Sequence, residues 1–147
     1  MSQFYNDLKN ANITERELAK VIEEKLDCKT IEFNDDNRYD IKFKGKIDFT
    51  VEVKEDFITK TTGNIGVEYH SRGKDSGINT TQAHFYLYKT HTSNSKYELL
   101  LMKTKELKKI IKEKKYFRVV NGGDFGSNTM MYIFKLDEIR RISIKLN

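Results

Sequence analysis

Two acids and one amine in the first half of the chain have the residue types and the spacing of a metal-dependent site. Asp40 precedes one short segment of alternating polarity, and Glu52 and Lys54 share one side of the next. Diagonal same-face positions on neighbouring strands are roughly 7–8 Å apart at the backbone, so two carboxylates there can converge on one cation. Carboxylate oxygens without His or Cys favour Mg²⁺ or Mn²⁺ over zinc. Lys54 is then placed to act on a water molecule or a phosphate beside the ion.

The segments that must position these groups are predicted to form a β-hairpin with its turn centred on Gly45. Its apolar positions are Ile41, Phe43, Ile47, Phe49, Val51 and Val53. Its polar face carries Asp40, Asp48, Thr50, Glu52 and Lys54. This turn places Asp40 opposite Thr50 and diagonal to Glu52, and Asp48 is the other candidate for the first acid. The alternative for the whole polar face is the ordinary solvated surface of an antiparallel hairpin.

A helix is predicted before this hairpin, over residues 15–27. Thr14 and Glu17 have the spacing of a capping box, which marks the start of a helix. Apolar residues then recur at helical spacing, at Leu18, Val21, Ile22 and Leu26. Glu23 and Glu24 lie among them, and their simplest interpretation is a solvated helix face.

Beyond Lys54, a glycine-marked turn leads into a predicted strand over residues 63–69. Glu68 lies near the end of this strand, and we expect it beside Glu52. It is either a further acid of the metal site or the structural partner of a lysine.

The segment that follows is basic and glycine-rich, and it leads into a predicted helix over residues 80–88. Arg72 and Lys74 precede this helix, whose free N–H groups and dipole suit a phosphate. Gln82 and Tyr86 are four residues apart, so a helix would stack them on one face. A flexible surface loop is the alternative for the basic segment, but it does not account for the two cations.

The last third of the chain is readable mainly as structure. The predicted strands cover residues 97–102, 117–120 and 130–134, and the predicted helices cover residues 104–116 and a short segment from Asp137. The lysines of the first helix either bind nucleic acid or form a solvated face.

Length and composition predict one domain over residues 1–147. The net charge of +5 and the sequence pI near 9.1 favour a polyanionic partner. The apolar runs are too short to span a bilayer, and the N-terminal residues lack a signal-peptide core, so we expect no membrane association. The single cysteine, Cys28, excludes an intramolecular disulfide, and a cytoplasmic location is expected.

The strand-borne Asp40, the gap of about a dozen residues and the sequence Glu52-Val53-Lys54 at the end of an apolar strand resemble the PD-(D/E)XK nuclease superfamily. This superfamily includes Holliday junction resolvases, many restriction enzymes and RecB-type exonucleases. The resemblance covers roughly residues 14–88, with Tyr39-Asp40 in place of the family's Pro-Asp. It implies a restriction-endonuclease-like α/β fold, in which helices flank a mixed β-sheet and an N-terminal helix precedes a central β-hairpin.

The resemblance also implies roles for particular residues. Asp40 and Glu52 would bind Mg²⁺ (or Mn²⁺), and Lys54 would complete the catalytic set. A glutamate on the first helix often adds a ligand in this superfamily, which here implicates Glu24 or its neighbour Glu23. The pair Gln82 and Tyr86 matches a Gln-x-x-x-Tyr pair of RecB-type nucleases, and together with Arg72 and Lys74 it would bind the substrate.

The function implied is a Mg²⁺-dependent DNA endonuclease. At this length, structure-directed cleavage by a homodimer, as in a Holliday junction resolvase, is preferred to sequence-specific restriction. One alternative is a non-catalytic DNA-binding protein or inhibitor on a nuclease fold, and another is a nuclease that acts on RNA.

Overall fold

The structure is a computed structural model that describes residues 3–122 and 126–147, with side chains from residue 12 onward. Across these ranges the chain forms four α-helices and ten β-strands. The helices are α1 (Gln3–Leu26), α2 (Thr59–Thr62), α3 (Thr104–Lys112) and α4 (Leu136–Arg141). The strands are β1 (Lys29–Phe33), β2 (Ile41–Lys44), β3 (Phe49–Asp56), β4 (Asn64–Ser71), β5 (Lys74–Asp75), β6 (Phe85–His91), β7 (Tyr97–Lys103), β8 (Arg118–Gly122), β9 (Thr129–Lys135) and β10 (Ser143–Lys145).

The strands form two sheets. The first has six strands in the order β1-β2-β3-β6-β7-β10, and it is mixed because β3 and β6 run parallel while the other neighbours run antiparallel. The second has four antiparallel strands in the order β5-β4-β9-β8. The α/β class and the mixed sheet with flanking helices are therefore as predicted. Within the described ranges, no helix is both long enough and apolar enough to cross a bilayer.

Each face of the six-stranded sheet has its own hydrophobic core. One face packs against α1, where Leu18, Ala19 and Ile22 meet Val51 and Leu87. The other face packs against the four-stranded sheet, α3 and α4 through the side chains Ile65, Val67, Tyr86, Tyr88, Leu100, Met102, Leu107, Phe134 and Ile139. Side chains alternate along a strand, so Glu52 and Lys54 lie on the face opposite Val51. Glu52 and Lys54 are thus directed to the side of the second sheet.

Most of the predicted elements are confirmed. The helix before the hairpin is α1, which begins earlier than predicted. The capping box is wrong, because Thr14 lies inside α1 and its hydroxyl donates to Glu55 at 3.2 Å. The strands predicted at residues 63–69, 97–102, 117–120 and 130–134 are β4, β7, β8 and β9, and the helices predicted from Thr104 and Asp137 are α3 and α4.

The helix predicted over residues 80–88 is wrong. A 3₁₀ turn at Gly77–Asn79 is followed by extended chain and then by β6, which pairs with β3 from Val51↔Phe85 to Asp56↔Thr90. This strand is buried on both faces, so its apolar residues form a continuous run without the alternation that marks a half-exposed strand. Periodicity alone cannot separate such a run from a buried helix.

The register of the central hairpin also differs from the prediction. Ile41 pairs with Val51 and Lys42 pairs with Thr50, whereas the predicted turn placed Asp40 opposite Thr50. The connection is longer than a tight turn at Gly45, and Ile47 within it is 81% exposed instead of facing the core. Continued by one residue, the observed register brings Asp40 level with Glu52.

Candidate active site

The carboxylates of Asp40 and Glu52 lie side by side at the start of β2 and in the middle of β3. The amide of Asp40 donates to the carbonyl of Val51 at 3.0 Å, and its Oδ2 accepts the amide of Val53 at 2.7 Å. The hydroxyl of Thr81 donates to Oε1 of Glu52 at 3.2 Å. The backbone of β3 and the segment before β6 therefore hold the two acids in fixed positions.

Burial, a hydrogen bond with Asp40 and the negative charge of Asp40 together raise the pKa of Glu52 to about 8. Lys54 and Thr81 act in the opposite direction but do not compensate. Two partly buried carboxyl groups this close repel each other when both are ionised, which is why the pKa of Glu52 is raised. A divalent cation would remove this conflict.

The phenol of Tyr86 is the second sign that the site is incomplete. Tyr86 pairs with Glu52 across the parallel strands and is 1% exposed. Its hydroxyl is buried and forms no close hydrogen bond among the described residues, although a weaker interaction with Thr81 acts to lower its pKa. Burial and then the charge of Glu52 raise its pKa above the ordinary tyrosine value. Because buried hydroxyl groups nearly always have partners, this one suits a water or a ligand in the site.

The donor set fits Mg²⁺ in composition. Within the described side chains, no three His, Cys, Asp or Glu residues are grouped closely enough to enclose a metal ion by themselves. Mg²⁺ does not require such a cage, because it is usually bound through one or two carboxylates together with waters and substrate phosphates. Asp40 and Glu52 would be those carboxylates.

Lys54 is half-buried on the same face as Glu52. It lines a cavity of about 560 Å³ between the two sheets, and the cavity wall also includes Glu68, Tyr86 and Arg118. Among the described residues, no carboxylate lies within ion-pair distance of the Lys54 amine. The amine is therefore available to a group that enters the cavity.

The structure brings Glu15, instead of Glu24, to the acid pair. Burial and the charge of Asp40 together raise the pKa of Glu15 to about 7, which places Glu15 within electrostatic range of Asp40. Glu24 is exposed and lies about 13 Å further along the axis of α1. Glu23 accepts the amide of Thr30 at 2.9 Å and has a structural role.

A signal for Glu15 was present in the sequence. It shares one helix face with Leu18, Ala19 and Ile22, which is the face that packs on the sheet. An acid inside an apolar stripe is a stronger candidate than one on a solvated face, because its burial needs a reason. Sequence reasoning also missed Thr81 and Arg118, whose positions depend on the fold of distant segments.

Glu68 lies in β4, in the other sheet from Glu52. It lines the same cavity as Lys54, and its charge acts to raise the pKa of Tyr86. The close approach of Gly77 to this strand requires a glycine, because a Cβ there would lie 2.2 Å from the carbonyl oxygen of Glu68. Glu68 is thus near the acid pair but is carried by a separate element.

The basic segment is a tight turn, contrary to the prediction of a mobile loop before a helix. Arg72 and Gly73 have φ values of 55° and 80°, and Ser71 pairs with Lys74 across this two-residue turn. Arg72 and Lys74 are exposed, and neither belongs to the lining of the cavity beside the acid pair. That lining does not include Asp40 or Glu52 either, and the cation that acts on Glu52 is Lys54 and not Arg72 or Lys74.

Gln82 and Tyr86 do not share a helix face, because the chain is extended there. Gln82 is exposed, and its backbone N–H donates to the backbone carbonyl of Arg38 at 2.7 Å. Asp48, the rival for the first acid, is exposed in the turn between β2 and β3. Of the two aspartates, it is Asp40 that meets Glu52.

Comparison of the chain with models of protein families found no match. Comparisons with curated proteins and with solved structures also found no match. The chemistry of the site is therefore inferred from its own geometry, namely two acids in electrostatic conflict, a third acid on α1 and an unpaired amine at the edge of a cavity.

Proposed function

We propose that this protein is a Mg²⁺-dependent DNA endonuclease with a restriction-endonuclease-like fold. The observation that carries the proposal is the close pair of Asp40 and Glu52 beside the free amine of Lys54. A protein gains no stability from two partly buried acids that repel each other, so such a pair points to a bound cation and to function. The positive net charge of the chain suits a polyanionic substrate.

The arrangement of elements also supports the proposal. Helix α1 precedes a central hairpin, the first acid lies at the start of β2, and Glu52 and Lys54 lie on β3. This is the order that the resemblance to PD-(D/E)XK nucleases implies. One departure is that the chain after β3 enters a second sheet, so Gln82 and Tyr86 are not carried by a helix.

The roles of the residues follow from their contacts. A bound Mg²⁺ would supply Lewis-acid chemistry at the scissile phosphate. Asp40 is oriented by the amide of Val53, and Glu52 is oriented by the hydroxyl of Thr81. Lys54 lines the cavity, and its amine would position the attacking water and stabilise the negative charge that develops on the phosphate. By analogy with the superfamily, the products carry 5′-phosphate and 3′-hydroxyl ends.

The test is a cleavage assay on linear duplex, single-stranded, flap and four-way junction DNA, each in Mg²⁺ and in EDTA, with an RNA strand as a further substrate. We expect DNA to be cleaved in Mg²⁺ and not in EDTA, and the four-way junction to be cleaved in preference to the other substrates. The mass of the protein in solution, by light scattering, tests the homodimer that a junction resolvase requires.

The variants in this assay are Asp40→Asn, Lys54→Ala and Glu15→Gln, with Glu24→Gln as the matched control. Glu24 lies on the same helix as Glu15 but is exposed, so the same substitution there leaves the rate unchanged. Metal-dependent cleavage that survives both Asp40→Asn and Lys54→Ala would overturn the proposal. DNA binding that needs no Mg²⁺, accompanied by no cleavage of any substrate, would identify a non-catalytic DNA-binding protein instead.

A further inference from the structure

A second cavity, of about 620 Å³, lies between the turn that joins β2 to β3, the segment before β6 and the start of α3. Its charged lining consists of Lys103, Lys105, Lys108 and Asp48, together with the imidazole of His84. Three lysines face one carboxylate, so the cavity has an excess of positive charge. An anion is the ligand class that this balance favours.

The start of α3 lines the cavity, and there the backbone N–H of Thr104 donates to the carbonyl of His84 at 2.9 Å while its side-chain hydroxyl is unpaired among the described residues. The helix has nine residues, and no side chain caps its N-terminus. Thr104, its first residue, lines the cavity and is 6% exposed, and its hydroxyl is buried without a hydrogen-bond partner among the described residues. A buried hydroxyl without a partner costs free energy, which an anion oxygen would offset by accepting from it. The positive end of the helix dipole favours the same ligand.

His84, the neighbour of Thr104, supplies a further donor to the cavity. The amide of Thr50 donates to Nδ1 of His84 at 3.0 Å. A neutral imidazole that accepts at Nδ1 must carry its proton on Nε2. The ring is exposed and lines the cavity, so Nε2–H is available to a ligand.

Thr81 joins this cavity to the acid pair. Its hydroxyl donates to Oε1 of Glu52 and accepts the amide of Ala83 at 3.1 Å, while Thr81 and Ala83 both line the cavity. A ligand in the cavity therefore lies one residue away from Glu52. A polynucleotide whose scissile phosphate lies at the acid pair would have a neighbouring phosphate within reach of the cavity.

We propose that this cavity is a phosphate subsite, which binds a backbone phosphate of the nucleic-acid strand next to the phosphate at Asp40 and Glu52. This inference rests on the proposed nuclease function. The subsite uses the Thr104 hydroxyl, the N-terminus of α3 and the lysines Lys105 and Lys108. The sequence indicated the lysines of α3 as candidates for nucleic-acid binding, but the rest of the cavity wall comes from two other segments, residues 47–49 and 81–85.

The sharpest test is Thr104→Val, which removes the unpartnered hydroxyl without changing charge or size. Binding of a fluorescein-labelled DNA strand is measured by anisotropy in EDTA, so that no strand is cut. We expect about fivefold weaker binding with a Tm equal to or above that of the wild type, because the lost hydroxyl has no protein partner. Thr104→Ser keeps the hydroxyl and restores the affinity. Wild-type affinity in Thr104→Val would overturn the subsite.

A second test compares two lysine pairs on α3 and its C-terminal flank. Lys105→Ala/Lys108→Ala removes two lysines that line the cavity, and Lys109→Ala/Lys115→Ala removes two exposed lysines that do not. The slope of the logarithm of the DNA-binding constant against the logarithm of the salt concentration should become shallower by about one for the first pair. The second pair should leave this slope unchanged. Equal effects of the two pairs would show a diffuse basic surface and overturn the subsite.

The position of the phosphate is tested with neutral methylphosphonates placed one at a time along the strand. A methylphosphonate at one position should weaken binding to the wild type but not to Lys105→Ala/Lys108→Ala. If no position along the strand behaves in this way, the subsite is overturned. These measurements do not use cleavage. A wild type that binds DNA with this pattern but never cleaves it would keep the subsite and reject the nuclease.

Discussion

Two glutamates on β3, three residues apart, show opposite electrostatic surroundings. Glu55 is fully partnered. His91 Nε2 lies 2.7 Å from its Oε2, the Lys89 amine lies 3.8 Å from the same atom, and the Thr14 hydroxyl donates to its Oε1. A carboxylate with these partners joins α1, β3 and β6, and it has a structural role.

Among the described residues, Thr81 is the donor to the Glu52 carboxylate, and the charge of the neighbouring Asp40 has a larger effect on the pKa of Glu52 than the charge of Lys54. Burial and Asp40 raise the pKa of Glu52 to about 8, so the ionised form of Glu52 is destabilised in the folded protein. The two glutamates are the same residue type on the same strand, but they differ in the partners that compensate their negative charge. An acid without compensation is where a ligand is expected.

The largest expected effect is the opposite response of activity and stability to Glu52→Gln. We expect Mg²⁺-dependent cleavage to fall by at least about 1,000-fold, which is the scale of losing a charged group that acts on the transition state. At pH 8 the free energy of unfolding should rise by about 1–2 kcal/mol, because a neutral amide removes the conflict with Asp40. Cleavage rates and urea denaturation measure the two effects. A variant that is less stable and still active would reverse the interpretation of this acid.

Glu55→Gln should have the opposite effect on stability. We expect a loss of about 1–3 kcal/mol, because the partly buried Lys89 and His91 lose their charged partner. The same urea titration measures it. If Glu55→Gln were neutral while Glu52→Gln was destabilising, the contrast between the two glutamates would be wrong.

The next effect is the pH dependence of stability without metal. The folded-state pKa of Glu52 is about 8, above its ordinary value of 4.5, so the folded protein binds more protons than the unfolded chain between these values. The stabilisation is fully present below pH 4.5 and is lost as the pH rises through 8. We expect the free energy of unfolding in EDTA to fall by up to about 1 kcal/mol per pH unit over this window.

The comparison of variants isolates this effect from other titrating groups. Glu52→Gln should flatten the slope, whereas Glu55→Gln should lower the whole curve and keep its shape. Urea denaturation at a series of pH values provides both curves. Equal slopes in the wild type and in Glu52→Gln would show that Glu52 is ionised normally in the folded protein.

The parts of the site that sequence predicted depend on local periodicity. Alternation along β2 and β3 places Asp40, Glu52 and Lys54 on one face, and it needs only two neighbouring strands. The exact pairing was missed because residues 45–48 form a longer connection than a turn centred on Gly45. An error of this kind shifts which residue is opposite Glu52 but not which face it occupies.

The parts that sequence did not predict depend on tertiary structure. Tyr86 reaches Glu52 because β6 returns parallel to β3 after the chain has built part of a second sheet. Glu15 reaches Asp40 because of which face of α1 packs on the sheet. Local propensity contains neither fact, since both are settled by how distant segments bury their apolar faces.

The smallest expected effect, and the most direct sign of a cation site, is the release of protons on Mg²⁺ binding. At pH 7 Glu52 is mostly protonated, because its pKa is about 8, and an ion held by both acids must displace that proton. Titration calorimetry in two buffers of different ionisation enthalpy should show release of up to about one proton per Mg²⁺. Glu55→Gln should release the same number and Glu52→Gln should release fewer. Mg²⁺ binding without proton release would place the ion away from the Asp40–Glu52 pair, and the electrostatic conflict between these acids would then have no part in metal binding.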